Sequence, residues 1–517
     1  MATIPLKSTD GRWLMVSTIM ASGMAFIDGS ALNVVLPSLQ EKLNATSAEL
    51  FWILNSYLLI LASLVLVGGA LGDSYGRKKV FMYGIVIFIF GSALCGFSPS
   101  VGFLITFRAI QGVGGALMIP GSLSLISSSI NENERGKAIG TWSSITTMVS
   151  VGGPVLGGFL GDHGLWRYIF FINVPIGIAA LWILWKKVRE TEIRAQQSID
   201  FAGGFLLAAG LALLTFGFLR APEIGFGNWQ SFGALLLGSV FLITFLIVEW
   251  KSSQPMMPPE LFRNPTFSGV NLLTLFLYAG LNAAMLFMSL NLVQIQGYSQ
   301  MQSGMTFVPF TIVMVLVSRF AGTLADKHGP RWLLIFGPVT VGIGMFVLSF
   351  IGQTPGPKSY WFTFFPGILI FSTGMAFTVA PLTTAVMTSV KSRYAGTASG
   401  VNNAISRVSN VLANAIFGSL ALVLFTSALE SQLVDSRFSQ REKSEILAQA
   451  ANLGNAKVPL IIEAKNRAQV SRDFHESFIA SYQNIMMLAS GLCFAGSLVA
   501  VFFVRNKDLS KQISGND

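Results

Sequence analysis

From Trp13 onward the chain is a succession of apolar blocks separated by short polar breaks, such as Val80 to Phe97 and Gly233 to Val248. A helix needs about 20 apolar residues to cross roughly 30 Å of hydrocarbon, so each block predicts a membrane-spanning helix. Fourteen are predicted, at 13–37, 50–71, 80–98, 101–127, 138–161, 168–185, 200–219, 231–249, 266–295, 304–324, 332–352, 361–389, 397–427 and 478–504. An even number places both termini on one side. The first block runs into Asp28 and Pro37 rather than a small-residue cleavage site, so it reads as a retained span.

One long connection interrupts the pattern, residues 428–477. Its first part, Ser427 to Ala451, has a helix-favouring composition. It reads as a solvated helical hairpin or cap, because no motif in it points to a docked partner.

Composition agrees with the pattern: 52% of the 517 residues are hydrophobic and 11% charged, against roughly 25% charged in a soluble domain. The formal charge of +10 is a matter of topology. Lys7, Arg12, Arg77 to Lys79, Lys186, Lys187, Lys251, Lys327 and Arg331 belong to a set of 20 basic residues on one set of loops and tails. The opposite short loops hold only Lys42, Arg167, Arg220 and Lys358. By the positive-inside rule the first set and both termini are cytoplasmic, and nucleic acid drops out as a partner. Cys95 and Cys493 lie far apart in apolar runs, and His163, His328 and His475 form no spaced cluster, so no metal, disulfide or cofactor is expected. No Ser/His/Asp or nucleotide-binding constellation appears either, so the chain does not read as an enzyme.

An internal repeat is visible. Gly69-Ala-Leu-Gly-Asp73-Ser-Tyr-Gly76-Arg77-Lys78 follows the second span, and Gly322-Thr-Leu-Ala-Asp326-Lys-His-Gly329-Pro-Arg331 follows the tenth. They occupy corresponding places if spans seven and eight are an inserted pair. That divides the chain into an N-terminal six-helix bundle (1–198), an inserted helix pair (199–250) and a C-terminal six-helix bundle (251–517). In each copy a glycine-permitted turn joins two helices while the basic residues hold the cytoplasmic face.

The first copy resembles the G-x-L-x-D-x-x-G-R-K motif of the major facilitator superfamily, with Ser74 at a position usually basic. Further matches resemble the 14-helix drug:proton antiporters. Phe26-Ile-Asp28-Gly-Ser30-Ala-Leu-Asn33 to Pro37 resembles their first-helix signature, with Ser30 for Thr. Leu104 to Ala116, containing Arg108, Gln111 and Gly112, resembles the fourth-helix motif. Gly153-Pro154-Val-Leu-Gly157-Gly158 resembles the fifth-helix antiporter motif, with Val149 in place of its leading Gly. Trp166-Arg167 through Asn173-Val-Pro175 is similar to the 14-helix branch in particular. The resemblance implies an all-α polytopic membrane protein with the major facilitator fold. It also implies export of amphipathic compounds in exchange for protons, with no cofactor beyond the proton gradient.

Charged residues well inside the spans are few: Asp28, Arg108, Arg319 and Arg407. A charge at the bilayer centre costs at least about 2.5–3.5 kcal/mol, so each needs a partner, water or a function. Asp28 and Arg108 fall at similar depths, roughly 10–14 Å from the outer helix ends at ~1.5 Å per residue, so they are expected to meet, directly or through water. Burial disfavours the Asp28 carboxylate and Arg108 favours it, which suits Asp28 to proton coupling; a permanent helix-tying ion pair is the alternative. Arg407 near the midplane has three readings: a strut bonded to carbonyls, which is preferred, a contact for an anionic or zwitterionic substrate, or a regulator of Asp28. Arg319 reads as structural, snorkelling toward Asp326. The Gly153, Pro154, Gly157, Gly158 run reads as close packing that also seals the halves. Asn33, Trp52, Asn55, Tyr57, Asn282, Met285, Phe287, Asn402 and Asn403 are candidates for a cavity lining, with Arg407. Asn44-Ala-Thr46 matches a glycosylation sequon, a triplet too common to carry weight.

The expected function is proton-coupled efflux of hydrophobic or amphipathic, preferentially cationic, drugs across a bacterial inner membrane. Partners are small substrates, protons and the bilayer, with a periplasmic adaptor protein open but unsupported. The alternatives are export of a specific endogenous amphipath (lipid, siderophore or antibiotic) and a receptor or sensor on the same fold.

Overall fold

Ser8 opens the first helix: its side chain accepts from the Gly11 N–H, and the chain stays helical from Thr9 to Leu43 (α1). Asn44 ends it at φ 49°, and Thr46 with Glu49 forms a capping box that starts α2, Ser47–Tyr75. The sequon-like triplet is therefore a pair of helix caps. The computed structural model describes residues 4–188, 190, 200–252, 255, 257–390, 395–434 and 436–505, without the side chains of residues 73, 132, 133, 135, 136, 143, 144, 147, 151, 319, 326, 395 and 396. Asp73, Arg319 and Asp326 are thus expected site or span residues whose side chains lie outside the description.

The helices continue as α3 (Arg77–Gly96), α4 (Val101–Ser129), α5 (Glu132–Asp162), α6 (Asn173–Lys187), α7 (Phe201–Ile224), α8 (Trp229–Lys251), α9 (Pro265–Gln294), α10 (Val308–His328), α11 (Arg331–Leu348), α12 (Phe364–Thr388), α13 (Ala395–Val434) and α14 (Arg467–Phe503). Thirteen helical segments among the described residues are long and apolar enough to cross a bilayer. α5, the fourteenth expected span, carries most of the undescribed side chains and packs along α1. Two expected spans arrive in pieces. Tyr168–Phe171 precedes α6, and Gln300–Thr306 precedes α10, broken at Phe307. Of the expected 428–477 connection, residues 428–434 and 467–477 belong to α13 and α14, which project past the apolar blocks.

α1 lies against α5 and α6, α2 against α4, and α3 against α4; on the other side α9 lies against α13 and α14, and α11 against α12 and α14. α7 and α8 form a hairpin, and α7 contacts both α2 and α13 through a small core of Leu59, Ala62, Leu207, Leu211, Phe245 and Val411. The inserted pair therefore covers a seam between the two helix groups. The outer face of α8 exposes Leu236, Val240, Ile243 and Ile247 between Trp229 and Trp250. Those tryptophans are about 32 Å apart along a helix, which matches the hydrocarbon thickness and the interfacial preference of Trp.

The ends of the molecule differ. One, the basic end, carries Arg77, Lys186, Lys187, Lys251 and Arg331; the other, the loop end, carries residues 436–466. There, helix Gln440–Ala448 is capped by Ser439 and Glu442, and the Ser439 hydroxyl holds the Glu442 carboxyl below its ordinary range. The following turn, Gln449–Asn455, docks back. Gln40 of α1 donates to the Asn452 carbonyl at 3.2 Å and accepts from Asn455 at 3.0 Å and from Gln294 of α9 at 3.1 Å. Of the two expectations for this connection, a hairpin or a cap, the contacts describe a cap laid over both helix groups.

Candidate functional site

The site starts from glycines on α4. A Cβ on Gly112 would stand 2.7 Å from the Tyr57 carbonyl oxygen, and one on Gly115 3.0 Å from the Tyr57 hydroxyl. With no side chain at either position, α2 approaches α4 closely and brings the Tyr57 ring over Arg108, 4.4 Å from centroid to Cζ.

Asp28 on α1 and Arg108 and Gln111 on α4 are all buried, and they close a triangle. Arg108 donates to Asp28 Oδ2 and to Gln111 Oε1 at 2.9 Å; Gln111 donates to Asp28 Oδ1 at 2.9 Å. Arg108 Nε also reaches the Ile53 carbonyl at 3.4 Å. The meeting is direct, with no water needed between the charges. Each carboxylate oxygen has a donor, so a proton placed on Asp28 turns an acceptor into a donor and removes the charge that holds Arg108. Gln111 carried no role in the sequence reading. Its position three residues after Arg108, on the same helical face, is the signal that would have found it.

Beside the triangle is a cavity of about 210 Å³, lined by Phe26, Ser30, Asn33, Leu54, Tyr57, Leu58, Arg108, Ile119 and Ser150 from one helix group and Asn282, Arg407, Asn410 and Asn414 from the other. A second, of about 120 Å³, shares Ser30, Asn33 and Ser150 and adds Pro154, Met285, Phe307 and Phe310. Asn33, Tyr57, Asn282, Met285 and Arg407 thus lie where a lining was expected. The other candidates are placed elsewhere. Phe287 is in the core against Phe51, centroids 6.1 Å apart. Asn402 bonds Asn271 and Thr274 on α9, and Asn403 bonds the Ser399 carbonyl. Asn55 is buried and outside both linings, and Trp52 packs at the core's edge. Polar residues in a span have two fates, a cavity or an interhelical bond, and spacing alone does not separate them. Arg407 makes no hydrogen bond or ion pair among the described residues, so the preferred reading of it as a carbonyl-bonded strut is not what the side chain does. It lines water-accessible space instead, where a guanidinium needs no carbonyl to satisfy it.

At the loop end the two groups are joined through the glycine run of α5, which has two faces. A Cβ on Gly153 or Gly157 would strike Ser30 or the Ala31 carbonyl of α1. One on Gly158 would stand 2.4 Å from the Gln300 carbonyl oxygen and 2.5 Å from Met301 Cα, across the seam. Gly304 returns the contact, with the Pro154 carbonyl 2.2 Å from where its Cβ would be. Asp162 closes the end of α5 by accepting from Ser299 Oγ at 2.7 Å and from the Gln300 and Met301 N–H groups at 2.7 and 3.0 Å. Prolines add to the joint. Pro154 leaves the Ser150 carbonyl without its helical donor, and Ser30 Oγ lies 2.8 Å from it; Pro37 does the same to Asn33, whose carbonyl accepts from Ser289 of α9 at 3.3 Å.

At the basic end the two repeat copies share a geometry. Gly76, which ends α2 and starts α3, has φ 104°, and Gly329, which ends α10 two residues before α11, has φ 79°. Arg77 donates to the Ser124 carbonyl at 3.4 Å, the Lys78 N–H to Glu190 at 3.0 Å, and Arg331 to the Val501 carbonyl at 3.2 Å. Gly69 faces Pro120 of α4. An alanine at Gly76 or Gly329 would be held in backbone space that L residues avoid, so each single variant is expected to lose about 1–3 kcal/mol of stability. Thermal unfolding of the purified protein checks this, and an unchanged midpoint in both would contradict it.

The sequence model of the Major Facilitator Superfamily matches residues 18–414. The chain belongs to this superfamily. Its members are transporters, not enzymes, and this superfamily chain is a multi-pass membrane protein. It is 27% identical over 511 residues to the tetracenomycin C resistance and export protein of Streptomyces glaucescens, covering 97% of this chain and 93% of that protein. It is 29% identical over 472 residues to multidrug resistance protein 3 of Bacillus subtilis (strain 168), covering 91% and 90%. Its fold is similar to that of a bacterial homologue of the human lysosomal transporter Spinster, solved inward-facing, with a TM-score of 0.67, 18% identity, and 97% and 98% of the two chains covered.

Proposed function

We propose that this superfamily member is a proton-coupled antiporter that exports hydrophobic or amphipathic small molecules across a bacterial inner membrane by alternating access. The observation that carries the proposal is the buried Asp28–Arg108–Gln111 triangle beside a cavity shared by both helix groups. The resistance and export relatives support the cargo class, and the excess of Lys and Arg at the basic end supports a cytoplasmic placement of that end and of both termini. On this reading the loop end faces outward, and the joint through Gly158, Gly304 and Asp162 closes the outer path. Both cavities are smaller than the ~300–1,000 Å³ pockets that hold drug-sized ligands, so cargo enters as the basic end parts. When the outer path opens, Asp28 takes a proton and lets go of Arg108; when the inner path opens, Asp28 releases it and the triangle re-forms. Cargo and proton alternate because both act on Arg108 and the wall it forms.

Among the described residues the lining holds no acid, and Asp28 beside it is engaged with Arg108 and Gln111. That gives a cation no acid to pair with, against the preference for cationic cargo expected from the sequence. Export of an antibiotic made by the host cell is the second reading, favoured by the relative named for tetracenomycin C export. Inverted membrane vesicles with an acidified interior test the proposal. Dye accumulation, using fluorescein and rhodamine 123, is expected on acidification and is expected to stop on adding an uncoupler. Accumulation that ignores the gradient would contradict it.

A further inference from the structure

We propose that the cavity selects compounds with an acidic head group on an apolar body, anchored by Arg407. This names the cargo class of the export reading and rests on it. Two guanidinium groups line the larger cavity. The charge of Arg108 is matched by Asp28 in a contact that leaves neither carboxylate oxygen free. Arg407 has no such partner among the described residues. Among the described residues the lining of the two cavities contains no acid. The chamber therefore carries one uncompensated positive charge, which attracts an anion and repels a cation.

The surroundings of Arg407 fit an oxyanion. Asn410 and Asn414 follow it at three and seven residues, on one face of α13, and both line the cavity. Asn282 of α9 donates to Asn414 Oδ1, which leaves the Asn414 amide N–H groups as donors. The fork of a guanidinium flanked by amide donors is the arrangement that takes a carboxylate, phenolate or sulfonate. The wall from the other helix group sets Phe26, Leu54, Leu58 and Ile119 among Ser30, Asn33, Tyr57, Arg108 and Ser150. The cavity thus combines an unmatched cation and amide donors with apolar surface, so the cargo that satisfies both is an amphipathic acid.

The class has a consequence for energetics. Exporting a monoanion against one incoming proton moves two charges across the membrane, whereas exporting a monocation against one proton moves none. Acidic cargo is therefore driven by the membrane potential as well as by the pH gradient.

The experiment compares fluorescein, an acidic xanthene, with rhodamine 123, a cationic one, in inverted vesicles containing the full chain. Wild type is expected to show the lower KM for fluorescein. Arg407→Ala is expected to shrink the fluorescein-to-rhodamine preference in kcat/KM at least tenfold, Arg407→Lys to restore part of it, and collapse of the potential to slow fluorescein more than rhodamine. Arg407→Gln makes the same test if the alanine variant fails to insert. A wild-type preference for rhodamine 123, or an equal change for both dyes in the Arg407 variants, would overturn the acidic class while leaving proton-driven export standing. Accumulation of neither dye by wild type would overturn the export reading and this one with it.

Discussion

Asp28→Asn is expected to abolish proton-driven export, a loss of at least a hundredfold in rate, with the protein still inserted in the membrane. Asparagine keeps the shape of the side chain and can still accept from Gln111 or Arg108, so the α1–α4 contact survives in outline. What disappears is the titrating group, and with it the charge opposite a buried guanidinium. Breaking a buried pair from one side typically costs 3–5 kcal/mol, roughly, so the single variant is also expected to unfold at lower temperature. The double variant Asp28→Asn with Arg108→Gln separates the two effects. It leaves no orphaned charge, so its thermal midpoint should return most of the way to wild type while proton-driven export stays absent. If the pair were only a strut between helices, the double variant would recover transport together with stability. Dye accumulation in inverted vesicles, paired with thermal unfolding of the same variants, checks this.

The second large effect is expected at the loop-end joint. A Cβ at Gly158 meets backbone atoms of Gln300 and Met301 at 2.4 and 2.5 Å, and backbone cannot rotate away as the end of a flexible side chain can. Gly158→Val must therefore separate α5 from the Gln300–Thr306 helix. That also pulls Asp162 from the N–H groups it accepts from. Export is expected to fall at least tenfold through loss of the outward-closed state, whereas Gly227→Val, at a glycine with nothing near its Cβ, should transport normally. The checks are dye export and the distance between spin labels at exposed Leu165 and Leu460, which should lengthen in Gly158→Val. Wild-type distances with wild-type export would refute the account of the joint.

The legible and illegible parts of this protein divide along a physical line. Membrane spans announce themselves because lipid demands long apolar runs, so the blocks at 80–98 and 231–249 reappear as α3 and α8 with small shifts at their ends. Asp28 and Arg108 were legible for the same reason, since a charge in hydrocarbon is costly and so rare. Gln111 was not, because a neutral amide carries little of that cost. The paired glycines at 76 and 329 were legible as turns because positive φ selects glycine. The cap at Gln449–Asn455 was not: its bonds to Gln40, 412 and 415 positions away, and the Gln40 bond to Gln294, 254 positions away, run through side-chain amides that no local pattern marks. The devices at Pro37 and Pro154 fall between. The freed carbonyls follow from the prolines, but the serines that answer them, Ser289 and Ser30, are set by how the helices meet. Arg407 shows the limit best. Its depth was readable from the sequence, but that it makes no hydrogen bond or ion pair among the described residues required the fold.

Proton release on cargo binding tests the central claim, that Asp28 trades its proton for cargo, most directly. Purified protein in weakly buffered detergent solution is mixed with whichever of the two xanthene dyes the vesicles accumulate, and the pH change is followed against a matched addition of dye without protein. The account predicts release from wild type that saturates with dye and is missing from Asp28→Asn, although that variant still binds the dye. Equal release from wild type and Asp28→Asn, or none from a wild type that exports the dye under a proton gradient, would contradict it.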